Sequence, residues 1–288
     1  MKFLSMMHIL QPCVGQGWAI GAYDTCNLEI TRAIVDAAAA DQAPVIIMIY
    51  PHHTPQAEWP TLIRIIESEV ERARIPVALV LDHAKTLDQI KCALDLGFSG
   101  VMIDASLLSL DQNIALTCQA VELAHAQGVS VEAELGHVGE GQDIIGDDQQ
   151  QAHLTRVDEA ERFVKETGVD ALAVSIGTLH GLYRGTPKLD FDRLAQIRSA
   201  CPIPLVLHGG SDTPDQDLRR AIEIGIDKIN IWTDVRIPFL RALKETLDGP
   251  IEKIEVHTAF AVARAAASDV IRHKNRLLGS VGKATLYA

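Results

Sequence analysis

Short β-rich runs alternate with amphipathic helical stretches from one end of this 288-residue chain to the other. Such alternation indicates parallel strands that are connected by crossover helices. Many of the runs are continuously apolar, as expected of parallel strands buried on both faces. We predict eight strands, at residues 18–23, 45–50, 77–81, 100–103, 130–134, 171–175, 205–207 and 228–231.

The segments between these strands have helical spacing. Leu28, Ile30 and Ile34 fall on one face of a helix, and later units repeat the pattern. Eight units favour a closed (β/α)8 TIM barrel, an α/β fold that commonly reaches this length as a single domain, here residues 1–288. An open doubly wound sheet is the alternative. Its nucleotide-binding turn normally reads GxGxxG, whereas the turn after the first strand here reads AYDTCN.

Composition argues against several classes of function. The formal net charge of −12 opposes binding to nucleic acid or to an anionic membrane. No apolar run reaches the roughly 18 residues that are needed to cross a bilayer. An odd number of scattered cysteines without CxxC spacing indicates reduced thiols and a cytoplasmic protein. The cysteines are Cys13, Cys26, Cys92, Cys118 and Cys201.

Histidines follow three of the predicted strands. His83 comes after the third strand, His180 after the sixth and His208 after the seventh. Because the C-terminal ends of barrel strands meet at one mouth, we expect these side chains to converge. Three neutral imidazoles with an open fourth position are a common catalytic zinc arrangement. The competing interpretation, three separately hydrogen-bonded barrel histidines, is weakened by the equivalence of the three positions.

Other polar residues occupy the same strand ends. Asp82 precedes His83, Glu132 and Glu134 lie on the fifth strand, and Asn230 lies on the eighth. Two segments can offer backbone N–H groups to a phosphate: His208-Gly209-Gly210-Ser211 and Asn230-Ile231-Trp232-Thr233. Each segment alone could be a plain β-to-α turn, but their pairing after strands seven and eight favours a phosphate site.

A long segment rich in Gly, Asp and Gln, residues 136–153, follows the fifth strand. Long loops inside compact domains are usually functional, so we predict a lid over the site.

Six blocks of sequence, in order, resemble the class II, metal-dependent ketose-bisphosphate aldolases of the fructose- and tagatose-bisphosphate type. The blocks are LDHAKTLDQIKCALDLGFSGVMIDAS, VSVEAELGHVGEGQD, IGTLHGLYRGTPKLDF, LVLHGGSD, KINIWTD and LLGSVGKA. The resemblance covers nearly the whole chain. It implies a lyase of carbohydrate metabolism that cleaves or condenses a ketose 1-phosphate or 1,6-bisphosphate, with dihydroxyacetone phosphate and an aldehyde as the two halves.

The resemblance also implies roles for individual residues. His83, His180 and His208 bind zinc, Glu134 lies near the metal as a ligand of an alternative position, and Asp82 is the proton donor to the departing aldehyde. The phosphate of the dihydroxyacetone-phosphate half is bound by Gly181, Gly209, Gly210, Ser211, Asn230, Ile231, Trp232 and Thr233. A monovalent cation near this phosphate and a homodimer or homotetramer are consistent with the same resemblance. On chemical grounds, the Asn230 amide is expected to stabilise an enediolate oxygen.

The sequence departs from the family pattern at the lid. Gln142 stands where the lid carboxylate usually lies, and glutamine cannot exchange a proton. We therefore assign the lid acid to Asp143, with Glu140 as the alternative, unless the substrate chemistry itself differs.

The pocket for the aldehyde half departs as well. Tyr50, followed by Pro51-His52-His53, replaces a usual Gln-x-Ser, AYDTCN replaces residues of AFN type, and Trp232 replaces a small residue. Asp212 follows Ser211 where glycine is usual, which is unfavourable beside a phosphate unless its side chain points away. These changes leave the metal residues intact and alter substrate recognition.

Two other functions stay open at this point. A non-catalytic metal- and sugar-phosphate-binding protein is suggested by Gln142 and opposed by Asp82. A sugar-phosphate isomerase or epimerase on the same barrel would be separated by the carbon count of its product. Near the C-terminus, Arg272, Lys274 and Arg276 either serve a second phosphate or form an ordinary solvated helix face, which we favour.

Overall fold

The computed structural model describes residues 3–139, 153–183, 185 and 187–287. In this part of the chain, eight parallel strands close into a barrel in sequence order, and β8 pairs with β1. The strands are β1 Ile20–Asp24, β2 Val45–Ile49, β3 Val77–Ala84, β4 Gly100–Ile103, β5 Ser130–Leu135, β6 Ala171–Val174, β7 Leu205–Leu207 and β8 Ile226–Ile231. The predicted (β/α)8 TIM barrel is therefore confirmed.

Ten α-helices lie in the described residues; the first lies at the N-terminal end of the barrel and the others lie around its outside. They are α1 Met6–Leu10, α2 Leu28–Asp41, α3 Trp59–Ala73, α4 Leu87–Asp95, α5 Leu110–His125, α6 Val157–Thr167, α7 Phe191–Ala200, α8 Asp215–Ile224, α9 Thr233–Leu247 and α10 Val256–Leu278. The predicted strands agree with β4 and β7 and differ elsewhere at their ends. The largest difference is in β3, which extends to Ala84 instead of ending at Leu81.

Alternate side chains of each strand face either the helices or the barrel interior. In β3, Leu79 and Leu81 belong to the outer apolar cluster, whereas Ala78 and Val80 belong to the inner one. The fully buried Met6 of α1 packs in the same inner cluster. Its backbone N–H donates to the carbonyl that precedes β4, so α1 closes the N-terminal end of the interior.

The barrel interior becomes polar toward the C-terminal ends of the strands. Asp24 lies two residues beyond Ala22 on β1, and His208 lies two residues beyond Val206 of β7. Because side chains two residues apart on a strand share a face, both polar groups point into the interior. Asp24 is 6% exposed and His208 is 0% exposed. This polar layer forms the floor of a cavity at the C-terminal mouth.

Within the described ranges, no helix combines the length and the apolar character needed to cross a membrane. All five cysteines are described, and each is a free thiol.

Candidate functional site

A backbone irregularity at the end of β3 directs two consecutive side chains into the site. The pairing register between β3 and β4 shifts between Leu81 and Ala84, and His83 has a positive φ of 45°. Strand alternation alone would direct Asp82 inward and His83 outward. The bulge and the left-handed conformation, which is uncommon for histidine, let both residues line the same cavity.

The three predicted metal ligands lie together at the mouth of the barrel. The ring centroid of His83 is 4.6 Å from that of His208 and 5.1 Å from that of His180. The centroids of His180 and His208 are 5.9 Å apart. One ring nitrogen from each histidine lies within 4.8 Å of those from the other two. The group is compact enough to hold one ion after small adjustments.

Two buried atoms without a hydrogen-bond partner lie among these histidines. They are His208 Nδ1 and Glu134 Oε2, which are 3.4 Å apart. The remaining atoms of the two side chains are engaged: His208 Nε2 lies 2.9 Å from Glu132 Oε1, and the Val138 N–H donates to Glu134 Oε1 at 3.0 Å. Buried polar atoms are rarely left unpaired. Imidazole and carboxylate donors with unpaired atoms therefore fit a divalent metal such as zinc.

The pKa values of His208 and His180 are shifted in opposite directions. Burial lowers the pKa of His208, but the carboxylates of Glu132 and Glu134 outweigh it and raise the pKa to about 10. Burial, with the neighbouring His83 and His208, holds the pKa of His180 well below its usual value. A metal at this position therefore has to displace a proton from His208.

Asp104 belongs to the site, although the sequence analysis did not single it out. Its Oδ2 lies 2.7 Å from His83 Nδ1 and 2.5 Å from Lys85 Nζ. Burial would raise the pKa of Asp104, but His83 and Lys85 hold it far below its usual range. With His83 and Glu134 it forms a second group that could hold a metal. The available signal was an acidic residue directly after an apolar strand, the same pattern that identified Asp82.

Asp82 and Asn230 lie beside the histidines. The Asn230 amide donates to Asp82 Oδ1 at 3.1 Å, and the same nitrogen is 3.2 Å from His208 Nε2. Asp82 is 4% exposed and still lines the cavity. Asn230 Oδ1 is buried without a partner. An acid/base group, an amide and a metal-type cluster are therefore in contact around one space.

That space is a cavity of about 580 Å³, a volume suited to a small phosphorylated ligand. Seven of the predicted phosphate-site residues line it: Gly181, Gly209, Ser211, Asn230, Ile231, Trp232 and Thr233. The eighth residue, Gly210, is outside the lining of the cavity, and its N–H donates to the Asn230 carbonyl at 3.1 Å. Gly209 has φ 68°, and a Cβ there would lie 2.3 Å from the Leu179 carbonyl oxygen. Only glycine fits this turn.

Asp212 and two cations of the C-terminal helix form contacts within the protein. Asp212 Oδ2 accepts from the Tyr183 N–H at 2.9 Å, so this carboxylate has a protein partner. Arg272 Nε lies 3.0 Å from Asp41, and Lys274 Nζ lies 2.9 Å from Asp234. These two ion pairs oppose a role at a second phosphate, but the expected solvated helix face is wrong for Lys274, which is buried against Asp234. Arg276 is exposed.

Aromatic rings form the wall on the side of β1 and β2. The His53 ring centroid is 4.7 Å from that of Tyr50 and 5.2 Å from that of Trp232. Asp24 and Arg236 also line the cavity, and the sequence analysis assigned no role to either residue.

The predicted lid acids, Asp143 and Glu140, and the unusual Gln142 lie outside the described residues. Nearer to β5, His137 lines the cavity, and its Nδ1 is 3.0 Å from Ser106 Oγ.

Comparison with known proteins identifies relatives over the full barrel. The family model for fructose-bisphosphate aldolase class-II matches residues 4–283. The crystal structure of the YdjI aldolase from Escherichia coli K12 is similar with a TM-score of 0.85 at 32% identity, covering 98% of this chain and 99% of that chain. A structure from Coccidioides immitis has a TM-score of 0.88 at 29% identity, covering 99% and 100% of the two chains. Fructose-bisphosphate aldolase from Campylobacter jejuni, at 22% identity, shares the fold with a TM-score of 0.82 over 96% and 94% of the chains.

Proposed function

This chain belongs to the class II fructose-bisphosphate aldolase family and is a lyase, and from this premise we propose that it is a zinc-dependent enzyme acting on a ketose 1-phosphate or 1,6-bisphosphate. The products of cleavage are dihydroxyacetone phosphate and an aldehyde. Condensation of these two halves is the reverse reaction.

One observation carries the proposal: His83, His180 and His208 meet beside Asp82 in a single cavity. The unpaired Nδ1 of His208 and Oε2 of Glu134 support a metal among them. Zinc suits imidazole nitrogen, and when bound it would act as a Lewis acid that draws electron density from the substrate carbonyl.

The protein residues account for the remaining steps. In the cleavage direction, Asp82 accepts the proton of the hydroxyl on the aldehyde half. The carbon–carbon bond then breaks, the hydroxyl carbon becomes the aldehyde, and the bonding electron pair stays with the ketone half. The Asn230 amide donates a hydrogen bond to the oxygen on which negative charge develops. Reversal of these steps gives condensation, and only in this direction does Asp82 donate a proton to the aldehyde oxygen. The role of proton donor to a departing aldehyde is therefore replaced by that of proton acceptor in cleavage.

The ketone half must finally gain a proton on carbon. We assign this proton to Asp143, and the assignment stays a prediction. The glycine turns at Gly181 and Gly209, with Ser211 and Thr233, line the cavity where the phosphate of this half would bind. The helix α9 begins at Thr233, so its N-terminal N–H groups favour an anion there.

The test is a cleavage assay with zinc, using fructose 1-phosphate, fructose 1,6-bisphosphate and tagatose 1,6-bisphosphate, with dihydroxyacetone phosphate as the detected product. We expect release from at least one substrate, and a fall in kcat of about 100-fold or more for Asp82→Asn, because the acid/base group is removed. Asp88→Asn, an exposed substitution on α4, is the matched control. A product with the carbon count of the substrate would favour an isomerase instead. Metal uptake without any product would favour the non-catalytic alternative.

The cytoplasmic location, the homo-oligomeric state and the monovalent cation are parts of this proposal that stay predictions.

A further inference from the structure

Asp24 is a buried acid that the steps above do not use. It ends β1, points into the barrel interior and lines the same cavity as Asp82. Its side chain is 6% exposed, and its Oδ1 is buried without a hydrogen-bond partner. Buried polar atoms usually have a hydrogen-bond partner. Because no protein group bonds to this oxygen, it is available to a polar group of a ligand in the cavity.

The aromatic wall covers the C-terminal end of β1. β1 lies between β8 and β2. Trp232 follows β8, His53 follows β2, and their ring centroids are 5.2 Å apart. The rings of His53 and Trp232 therefore meet above the C-terminal end of β1, where Asp24 points into the cavity. Tyr50 completes this wall, with its ring centroid 5.7 Å from that of His83.

The electrostatics of this corner are acidic. Burial, with the nearby Asp82, raises the pKa of Asp24 well above its usual value, although Lys228 and His208 act in the opposite direction. A protonated carboxyl group has one donor and one acceptor oxygen, which is the hydrogen-bonding capacity of a hydroxyl partner.

Two cations that line the cavity do not lie beside Asp82. Lys85 forms an ion pair with Asp104, which follows β4, and Arg236 is exposed at the rim, where its charge acts on His53. A phosphate beside Asp24 would meet Asp82 and aromatic rings, an arrangement that disfavours a dianion.

We infer that Asp24 is a specificity-determining residue that hydrogen-bonds a hydroxyl of the aldehyde half, so that this half is an uncharged hydroxyaldehyde where it meets β1. The inference rests on the proposed function and narrows its substrate class from the bisphosphates to ketose 1-phosphates.

The test uses zinc-loaded full-length protein in the condensation direction, with dihydroxyacetone phosphate and three aldehydes. Glyceraldehyde carries the hydroxyls, propanal lacks them, and glyceraldehyde 3-phosphate carries the charge. We expect wild-type kcat/KM to favour glyceraldehyde over propanal by about 100-fold, because a site built to bind a hydroxyl rejects the analogue without it. Glyceraldehyde is also expected to exceed glyceraldehyde 3-phosphate.

Two variants distinguish a hydrogen bond between Asp24 and the substrate hydroxyl from a contribution of Asp24 to folding alone. Asp24→Ala is expected to reduce the glyceraldehyde-to-propanal ratio to near one. Asp24→Asn, which keeps a donor and an acceptor, is expected to recover the ratio to within about threefold of wild type. Because Asp24→Asn preserves the shape of the side chain, it also serves if the alanine variant fails to fold.

Two results would overturn the inference: an unchanged ratio in Asp24→Ala, or a wild-type preference for glyceraldehyde 3-phosphate. Each of these can occur while aldol product still forms, and then the proposed function stands. No aldol product from any aldehyde, in wild type and His83→Ala alike, would overturn the proposed function and this inference with it.

Discussion

Replacing Lys228 with methionine is expected to destabilise the barrel by about 3 to 5 kcal/mol. Lys228 Nζ lies 2.7 Å from Glu132 Oε2, and both side chains are 0% exposed inside the barrel. Burial would raise the pKa of Glu132, but Lys228 and His208 outweigh it and lower the pKa from 4.5 to about 2. This change corresponds to about 3 kcal/mol in favour of the ionised form. Methionine would leave that carboxylate buried without its ammonium partner.

The assay is urea unfolding of the metal-free protein at pH 7, with the slopes compared to establish that the same transition is measured. The double variant Glu132→Gln/Lys228→Met removes both charges and is expected to recover most of the lost stability. A loss below about 1 kcal/mol in Lys228→Met would refute the reasoning, as would a double variant no more stable than the single one. Because the folded-state pKa of Glu132 is depressed, the pair stabilises the fold above about pH 4.5 and loses its effect as the pH falls toward about 2.

Three further outcomes are expected. Because burial and Asp82 raise the pKa of Asp24, the folded chain keeps a proton that the unfolded chain releases above about pH 4, so wild-type stability falls as the pH rises from there. The stability of Asp24→Asn relative to wild type should therefore increase from pH 4 to pH 8 in urea unfolding, and a constant difference would contradict this. Gly209→Ala should cost more than about 2 kcal/mol and raise KM for the sugar phosphate, whereas the control Gly128→Ala, also at positive φ but with no atom within 4 Å, should cost about 1 kcal/mol; equal costs would contradict the clash. Zinc binding at pH 7 should release about one proton from His208, and calorimetric enthalpies that do not depend on the buffer would contradict its raised pKa.

Much of the fold was predictable because parallel barrel strands are buried on both faces. Apolar runs such as Leu205–Leu207 indicate buried parallel strands when eight of them alternate with helices, and the number eight favours a closed barrel. The strand ends were less predictable. The bulge in β3 carries the strand past Asp82 and His83, and neither residue type indicates a strand.

The candidate site was predictable to the extent that it depends on strand ends. Asp82, His208 and Asn230 follow from alternation and the common mouth of the barrel. The sequence placed His83 at this mouth, but the backbone conformation that turns its side chain inward was not predictable, because it has a φ of 45° that histidine seldom adopts.

The remaining site residues depend on contacts between distant segments. The carboxyl group of Asp104 is assigned to the site by its contacts with His83 and Lys85, and His53 by its ring contacts with Tyr50 and Trp232. Such contacts arise from the lateral order of strands and the course of loops, and neither is encoded in local spacing.

The most direct test of the proposed enzyme is a titration of metal-depleted protein with zinc, following dihydroxyacetone phosphate release and bound metal in parallel on a substrate that the cleavage assay identifies. We expect activity to be absent after chelation and to return in proportion to zinc, reaching its maximum at about one ion per chain. His83→Ala, His180→Ala and His208→Ala should each lose both metal and activity. Full turnover by metal-free wild type, or retention of zinc and activity in all three variants, would contradict the account.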